Sequence, residues 1–162
     1  SSYDLMPIDP LILLKFIENA LKIKKKYIEL DEFDKGIRNI FNYGHSFGHA
    51  IESATNFVIP HGIAVTIGMD MANRIASQMK LTTKDHYRRM HKVLKKNYST
   101  HKSTPIPLDK LVSALKKDKK NTASKLVLIM PVGDKADIQK VEVNANDEFL
   151  GYCEDFLDNL SV

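Results

Sequence analysis

Apolar residues recur at helical spacing along most of the chain, and capping or turn residues separate these stretches. Asp9-Pro10 marks the first start, because a carboxylate caps a helix and proline suits its first position. After His61-Gly62 a strongly apolar stretch predicts a buried central helix, whereas KLVLIMP is typical of a strand. A turn at Gly133-Asp134 then lets a second strand pair with it. We predict a mainly α fold with a small β-hairpin, in one helical domain over 1–162. The predicted helices cover 10–28, 35–55, 61–79, 83–98 and 108–117, and a last helix begins at Asn146 or Asp147. The predicted strands cover 125–131 and 137–143.

Five polar residues share one face of the helix predicted over 35–55. Their spacings are four, three, four and three, so at about 100° per residue they fall within an arc of roughly 80°. A solvated face normally carries Lys and Glu, but this one carries a guanidinium, a carboxamide, two imidazoles and a carboxylate. Such a set suits a metal or an anionic ligand. The five residues are Arg38, Asn42, His45, His49 and Glu52.

Three histidines within 17 residues indicate a metal site. His45 and His49 are four residues apart, a spacing at which two imidazoles can share one ligand. His61 follows at the start of the next predicted helix, and with Glu52 these donors suit zinc or a similar divalent ion. Each histidine alone is also explained as a buried, hydrogen-bonded side chain or a helix cap. Three further histidines lie in polar, Lys-rich surroundings and are predicted to be surface residues without a role: His86, His91 and His101.

A lysine interrupts the apolar stripe of the first predicted helix. Lys24 falls between Leu21 and Ile28 on that stripe. Its side chain either reaches out to solvent or points at an anion between packed helices. Two glycines beside histidines, Gly44 and Gly48, also stand inside a predicted helix, where each costs about 1 kcal/mol relative to alanine. Their presence indicates that a neighbouring helix or a ligand packs close to the backbone.

Composition and charge narrow the class of protein. The chain has 162 residues, 43% of them apolar, and a net charge of +4, which suits an anionic small ligand but is too small to indicate nucleic acid. No apolar run approaches the ~20 residues of a membrane span, and no signal peptide pattern is seen. Cys153 stands alone, so we expect no internal disulfide and a reducing, cytoplasmic location. The run LKKDKKN at 115–121 is either a solvated helix end or a loop that grips an anion.

Two consecutive motifs carry a specific resemblance. The stretch from Arg38 to Glu52 reads R-x-x-x-N-x-G-H-x-x-G-H-A-x-E, and His61 to Met69 reads H-G-x-A-V-x-x-G-M. Together with Asp118-Lys119-Lys120 before an apolar strand, they make the chain resemble 3-dehydroquinate synthase and its sugar-phosphate cyclase relatives. The resemblance covers nearly the whole chain in order.

The resemblance implies a fold and a reaction. Such enzymes have an N-terminal NAD-binding α/β domain and a mostly helical C-terminal domain, with the site in the cleft. The synthase, a lyase of the shikimate pathway and so of aromatic amino acid biosynthesis, converts a seven-carbon keto-acid phosphate into a carbocycle. NAD oxidises one carbinol, phosphate is eliminated, the ketone is reduced again, and the ring closes by an aldol step. A divalent metal, usually zinc with cobalt as the alternative, polarises the hydroxyl being oxidised.

The resemblance also assigns residues. His45 and His61 match the two histidine metal ligands, which replaces the pair of His45 and His49 suggested by spacing. His49 matches a catalytic histidine near the phosphate. The remaining matches contact the phosphorylated substrate, with Arg38 suited to a carboxylate or phosphate. These are Lys24, Arg38, Asn42 and Lys119, with Lys120 as the alternative to Lys119.

The chain departs from the family pattern at several points. The third metal ligand, a glutamate upstream of the equivalent of Lys24, and the glycine-rich NAD-binding region are not found in these 162 residues. We therefore expect the N-terminal domain to be absent from this chain, its NAD contacts to lie there, and the isolated chain to be inactive. Asp34 and Ile63 each replace a glutamate of the synthase, which leaves open a related cyclase that makes another cyclitol. Two non-enzymatic interpretations also stay open: a non-catalytic metal- or phosphate-binding module, and a plain helical scaffold. The oligomeric state, for which a homodimer is one alternative, stays open too.

Overall fold

The computed structural model describes residues 9–33, 36–118, 121–122 and 124–160, and the chain forms two compact units that divide between Asn39 and Ile40. The architecture is mainly helical with one small antiparallel hairpin, which confirms the predicted fold class. None of the helices in the described ranges combines the length and apolarity that a bilayer crossing needs. The prediction of a single domain stays a prediction.

The first unit consists mainly of helix α1, Pro10–Leu30. As predicted, Asp9 caps it, and the carboxylate accepts hydrogen bonds from the backbone N–H groups of Leu11 and Ile12 at 2.9 and 3.4 Å. No residue of α1 is buried, and Leu21 on its apolar stripe is 62% exposed. Lys24 is exposed as well, which agrees with a side chain that reaches solvent, and its contact with an anion stays a prediction.

The helix predicted over 35–55 is two shorter elements. A 3-10 helix covers Ile37–Asn42, and helix α2 begins only at His45 and ends at Ala54. Gly44 separates them with φ of +78°, in the left-handed region that favours glycine. The prediction of one continuous helical face from Arg38 to Glu52 is therefore wrong. The predicted cap Asp34 lies outside the described residues.

The second unit is built around helix α3, His61–Gln78, which is the predicted buried centre. Ile67, Met71 and Ile75 have no exposed surface, and α3 packs against α2, helix α4 (Lys84–Tyr98), strand β1 (Lys125–Val132) and helix α6 (Asp147–Leu160). Helix α5, Leu108–Lys117, covers α2 from the other side. The continuous apolar character of α3 is thus explained by neighbours on most of its faces.

The hairpin closes the core beside α3. Strand β1 pairs antiparallel with strand β2, Asp137–Asn144, and the chain turns through Gly133 at φ of +77°. Leu126, Leu128 and Met130 alternate along β1 and are fully buried. The hairpin and its turn were both predicted correctly.

Candidate metal and anion site

Glycines let α2 and α3 cross with their backbones in contact. A Cβ atom added to Gly48 would lie 2.9 Å from the Val65 Cα, and one added to Gly68 would lie 2.7 Å from the Gly48 nitrogen. Real side chains do not tolerate such distances. The close neighbour expected beside Gly44 and Gly48 is therefore α3, and Gly44 ends a turn instead of standing inside a helix.

A short loop returns the chain from α2 to α3. Asn56 and Phe57 both adopt positive φ, at 51° and 61°, and the Phe57 N–H donates to the Glu52 carbonyl oxygen at 2.8 Å. Ile59 is fully buried in this loop, and His61, the first residue of α3, lies within hydrogen-bond distance of Glu52 on α2. The reversal brings together histidines that are 16 residues apart or less.

The three predicted histidines form a triangle. The ring centroids of His45, His49 and His61 are 5.6 Å apart in every pair. Glu52 lies beneath them, with 9% of the residue exposed. The structure thus unites four of the polar residues that the sequence singled out, although they do not share one helix face with Arg38.

Two of these imidazoles are held by oxygen atoms. The Nδ1 atom of His61 is 3.1 Å from Glu52 Oε2, and that of His45 is 3.3 Å from the Tyr43 carbonyl oxygen. A carbonyl and an ionised carboxylate only accept, so each Nδ1 carries the hydrogen, and in the neutral form of each ring Nε2 keeps its lone pair. No protein group in the described ranges is recorded as holding His49 in this way. The hydrogen bonds therefore distinguish His45 and His61 from His49.

Burial keeps His45 neutral. It lowers the pKa of His45 below its ordinary value, and the nearby imidazoles of His49 and His61 lower it further. The hydrogen bond to Tyr43 and the charge of Glu52 act in the opposite direction without cancelling this effect. A neutral imidazole is the form that binds a metal ion.

The donor set fits a divalent metal. One ligand atom each from His49, Glu52 and His61 lies within 4.8 Å of the others, and imidazole with carboxylate is a typical zinc donor set. His45 is outside this tightest group, whereas the resemblance selects His45 and His61. The two sets share His61, and its position is therefore common to both interpretations.

A groove adjoins the triangle on the side of α5. It has a volume of about 380 Å³ and is lined by His49 together with Ser46, Ala50, Ser53, Ala114, Lys117 and Asp118. Hydroxyls, an imidazole and a lysine suit a phosphate group. Sequence reasoning missed Ser46 and Ser53, although both lie within four residues of His49 and so near it on the same helix. Lys119 and Lys120 lie outside the described residues, so the grip expected of that run stays a prediction.

The other predicted substrate residues divide between the two units. Lys24 and Arg38 belong to the first unit, where the Arg38 guanidinium donates to the Glu32 carbonyl oxygen at 2.9 Å. Asn42 ends the 3-10 helix and is half-buried. Their roles stay predictions.

A buried polar network between α3 and α4 was not predicted from the sequence. Asp70 is fully buried, and its Oδ2 accepts hydrogen bonds from the His91 Nδ1 at 2.7 Å and from the Tyr98 hydroxyl. The His86 Nε2 lies 2.9 Å from Oδ1 of the buried Asn73. His86 and His91 are therefore half-buried residues that join α4 to α3, and their prediction as surface residues was wrong.

Comparison with known proteins adds an independent line of evidence. The family model of the 3-dehydroquinate synthase C-terminal domain matches residues 2–121. The 3-dehydroquinate synthase of Alkaliphilus oremlandii is 31% identical over 140 residues, covering 86% of this chain and 36% of the relative. That of Synechocystis sp. is 36% identical over 135 residues, covering 81% and 36%.

A solved structure agrees with the sequence matches. The 2-deoxy-scyllo-inosose synthase complexed with carbaglucose-6-phosphate, NAD+ and Co2+ superposes with a TM-score of 0.75 at 25% identity, over 93% of this chain and 43% of that one. The chain spans 36% of the length of each of the two curated relatives named above. The motifs, the fold and these matches together show that the chain belongs to the 3-dehydroquinate synthase family and corresponds to its C-terminal domain.

Proposed function

We propose that this chain supplies the metal- and phosphate-binding part of a 3-dehydroquinate synthase. The complete enzyme would convert a seven-carbon keto-acid sugar phosphate into a carbocycle with elimination of phosphate, using NAD held mainly by an N-terminal domain. The observation that carries the proposal is the triangle of His45, His49 and His61, with ring centroids 5.6 Å apart, within the family motif. The related cyclase complexed with a sugar phosphate analogue, NAD+ and Co2+ supports the ligand classes.

His45 and His61 are the proposed metal ligands. Each donates its Nδ1–H to an oxygen acceptor, so both rings are held with Nε2 available. A bound divalent metal, for which zinc is our first choice, would polarise the hydroxyl being oxidised. The resemblance places a third ligand, a glutamate, upstream of the equivalent of Lys24. The buried Cys153 is the only cysteine, which accords with a reducing, cytoplasmic setting.

His49 is the proposed phosphate-side residue. It is exposed and opens onto the groove that also contains Ser46 and Lys117, so it can hold or transfer a proton at a phosphate oxygen without leaving its helix. Lys24, Arg38, Asn42 and Lys119 are proposed to bind the rest of the substrate. Of these, the Arg38 guanidinium donates to the neutral Glu32 carbonyl oxygen, and a carboxylate or phosphate would be a stronger acceptor.

Cobalt titration of the 162-residue chain tests the ligand assignment. The His45→Ala and His61→Ala variants should each lose detectable Co2+ binding, because each loses a ligand, whereas His49→Ala should keep most of the affinity. His101→Ala is the matched control, since His101 is paired with Thr100. Loss in His49→Ala together with normal binding in His45→Ala would assign the metal to His49, Glu52 and His61 instead.

A second candidate is a cyclase that forms a different cyclitol. Ile63 stands where the synthase motif has a glutamate, and one of the matching solved structures is a 2-deoxy-scyllo-inosose synthase. Thermal stabilisation of the chain by a seven-carbon acid phosphate and by glucose 6-phosphate discriminates the two candidates. Stronger stabilisation by glucose 6-phosphate would favour the second.

A further inference from the structure

Glu52 is a buried carboxylate, and within the described ranges its side chain is hydrogen-bonded to the imidazole of His61. Only 11% of its side chain is exposed, whereas that of His61 is 57% exposed. Burial of a carboxylate is costly unless hydrogen bonds compensate for the lost water. The Oε2 atom of Glu52 is hydrogen-bonded to the His61 Nδ1 at 3.1 Å. The carboxylate and the more exposed imidazole are therefore coupled across the loop that links α2 to α3.

The direction of this hydrogen bond decides the chemistry of His61. An ionised carboxylate only accepts, so Nδ1 carries the hydrogen, and in the neutral ring Nε2 keeps its lone pair. The same contact limits rotation of a ring that is otherwise mostly exposed. His45 is held in the same tautomer by a neutral acceptor, the Tyr43 carbonyl oxygen at 3.3 Å. The two proposed ligands thus present the same nitrogen, but only the one on the exposed ring is held by a charged group.

We propose that Glu52 is a positioning residue that fixes the tautomer and orientation of the His61 ring for metal binding. This inference rests on the proposed function, in which the His61 Nε2 is a metal ligand. A carboxylate that accepts from a ligating imidazole also increases the basicity of the ring, which strengthens the bond to the metal. The competing role for Glu52 is direct ligation together with His49 and His61, whose atoms lie within 4.8 Å.

The tautomer of His61 can be measured without metal. Long-range ¹H–¹⁵N NMR of the metal-free 162-residue chain, at a pH where its imidazoles are neutral, should show His61 protonated at Nδ1. In Glu52→Gln the amide can donate as well as accept, so His61 should become a mixture of tautomers. His45 is the internal control, because its Tyr43 partner is unchanged. Glu148→Gln, which removes an exposed carboxylate on α6, should leave both signals unaltered.

Cobalt binding by the same variants tests the link to the metal. Glu52→Gln should weaken Co2+ binding by about 10- to 100-fold while the circular dichroism spectrum stays unchanged, and Glu148→Gln should bind like wild type. Unchanged affinity and tautomer in Glu52→Gln, with binding lost in His61→Ala, would overturn this inference alone. Loss as complete as in His61→Ala would overturn it in favour of direct ligation by Glu52. No Co2+ binding by wild type would overturn both the inference and the proposed function. Should Glu52→Gln fail to fold, the wild-type spectrum decides, because an Nε2-protonated His61 contradicts the inference.

Discussion

Replacement of Gly68 by alanine tests whether the glycine crossing of α2 and α3 determines the geometry of the site. The added Cβ would lie 2.7 Å from the Gly48 nitrogen and still closer to the Gly44 carbonyl oxygen. Favourable contacts between such atoms begin at about 3.5 Å, so the two helices would have to separate by roughly 1 Å. The atoms in the way belong to the backbone, and no side chain rotation can relieve the clash.

The magnitude follows from two opposing effects. Gly→Ala inside a helix is worth about 1 kcal/mol in favour of alanine. Overpacking a dense contact costs about 1–3 kcal/mol and sometimes more, and rigid backbone neighbours place this site at or above the upper end. We therefore expect Gly68→Ala to lower the free energy of unfolding by about 2 kcal/mol.

Urea denaturation of the metal-free chain measures this change, and the sequence supplies a matched control. Gly151 lies inside α6, and no described atom beyond its own stretch of helix comes within 4 Å of the position that a Cβ would occupy. Gly151→Ala should therefore raise the free energy of unfolding by about 0.5–1 kcal/mol. Equal stability changes in Gly68→Ala and Gly151→Ala would refute the argument from close backbone contact.

Two further predictions concern the buried polar network between α3 and α4. Tyr98→Phe should lower the free energy of unfolding by about 1.5–3 kcal/mol in denaturation experiments, because the buried phenol donates to the Asp70 carboxylate. In the control Tyr152→Phe the lost hydroxyl bond, to Glu148, is exposed to solvent, so the free energy of unfolding should change by less than about 0.5 kcal/mol. Burial, and then the charge of Arg89, lower the pKa of His86 below its ordinary value of about 6.5, so the unfolded chain takes up this proton at higher pH than the folded chain. Stability should therefore fall as the pH drops below about 6.5, and the decrease should be smaller in His86→Gln; identical pH profiles would contradict this.

The elements with one uniform pattern were predictable from the sequence. The apolar run after His61, the capped start at Asp9 and the turn at Gly133 each have a local cause, and the structure agrees with all three. The break in the helix predicted over 35–55 was not predictable, because a 3-10 helix followed by an α-helix preserves the apolar spacing. The break occurs at Gly44. A glycine in the sequence is equally compatible with a helix interior and with a left-handed turn, so its presence alone did not reveal the break.

The site was predictable in its residues but not in its geometry. Spacing alone favoured His45 with His49, whereas the approach of His61 depends on positive φ at Asn56 and Phe57. Asn adopts this conformation more readily than most residues, but it is uncommon for a bulky residue such as Phe57 and depends on the surrounding structure. Local sequence does not report such tertiary stabilisation. The partners of His86 and His91 were missed for the same reason, since Asp70 and Asn73 lie on another helix.

Gly68→Ala and Glu52→Gln should differ in their effects on stability and metal affinity. The backbone contact at Gly68 sets the distance between α2, which carries His45, and the start of α3, which carries His61. Separating these helices should therefore weaken Co2+ binding and folding together. Glu52→Gln acts on the ring of His61 without moving either backbone, so it should weaken binding while the fold persists. Both responses are expected if the site is assembled by helix crossing and adjusted by one hydrogen bond, because the crossing would then set the distance between the histidines and the carboxylate would set which nitrogen is available to a metal.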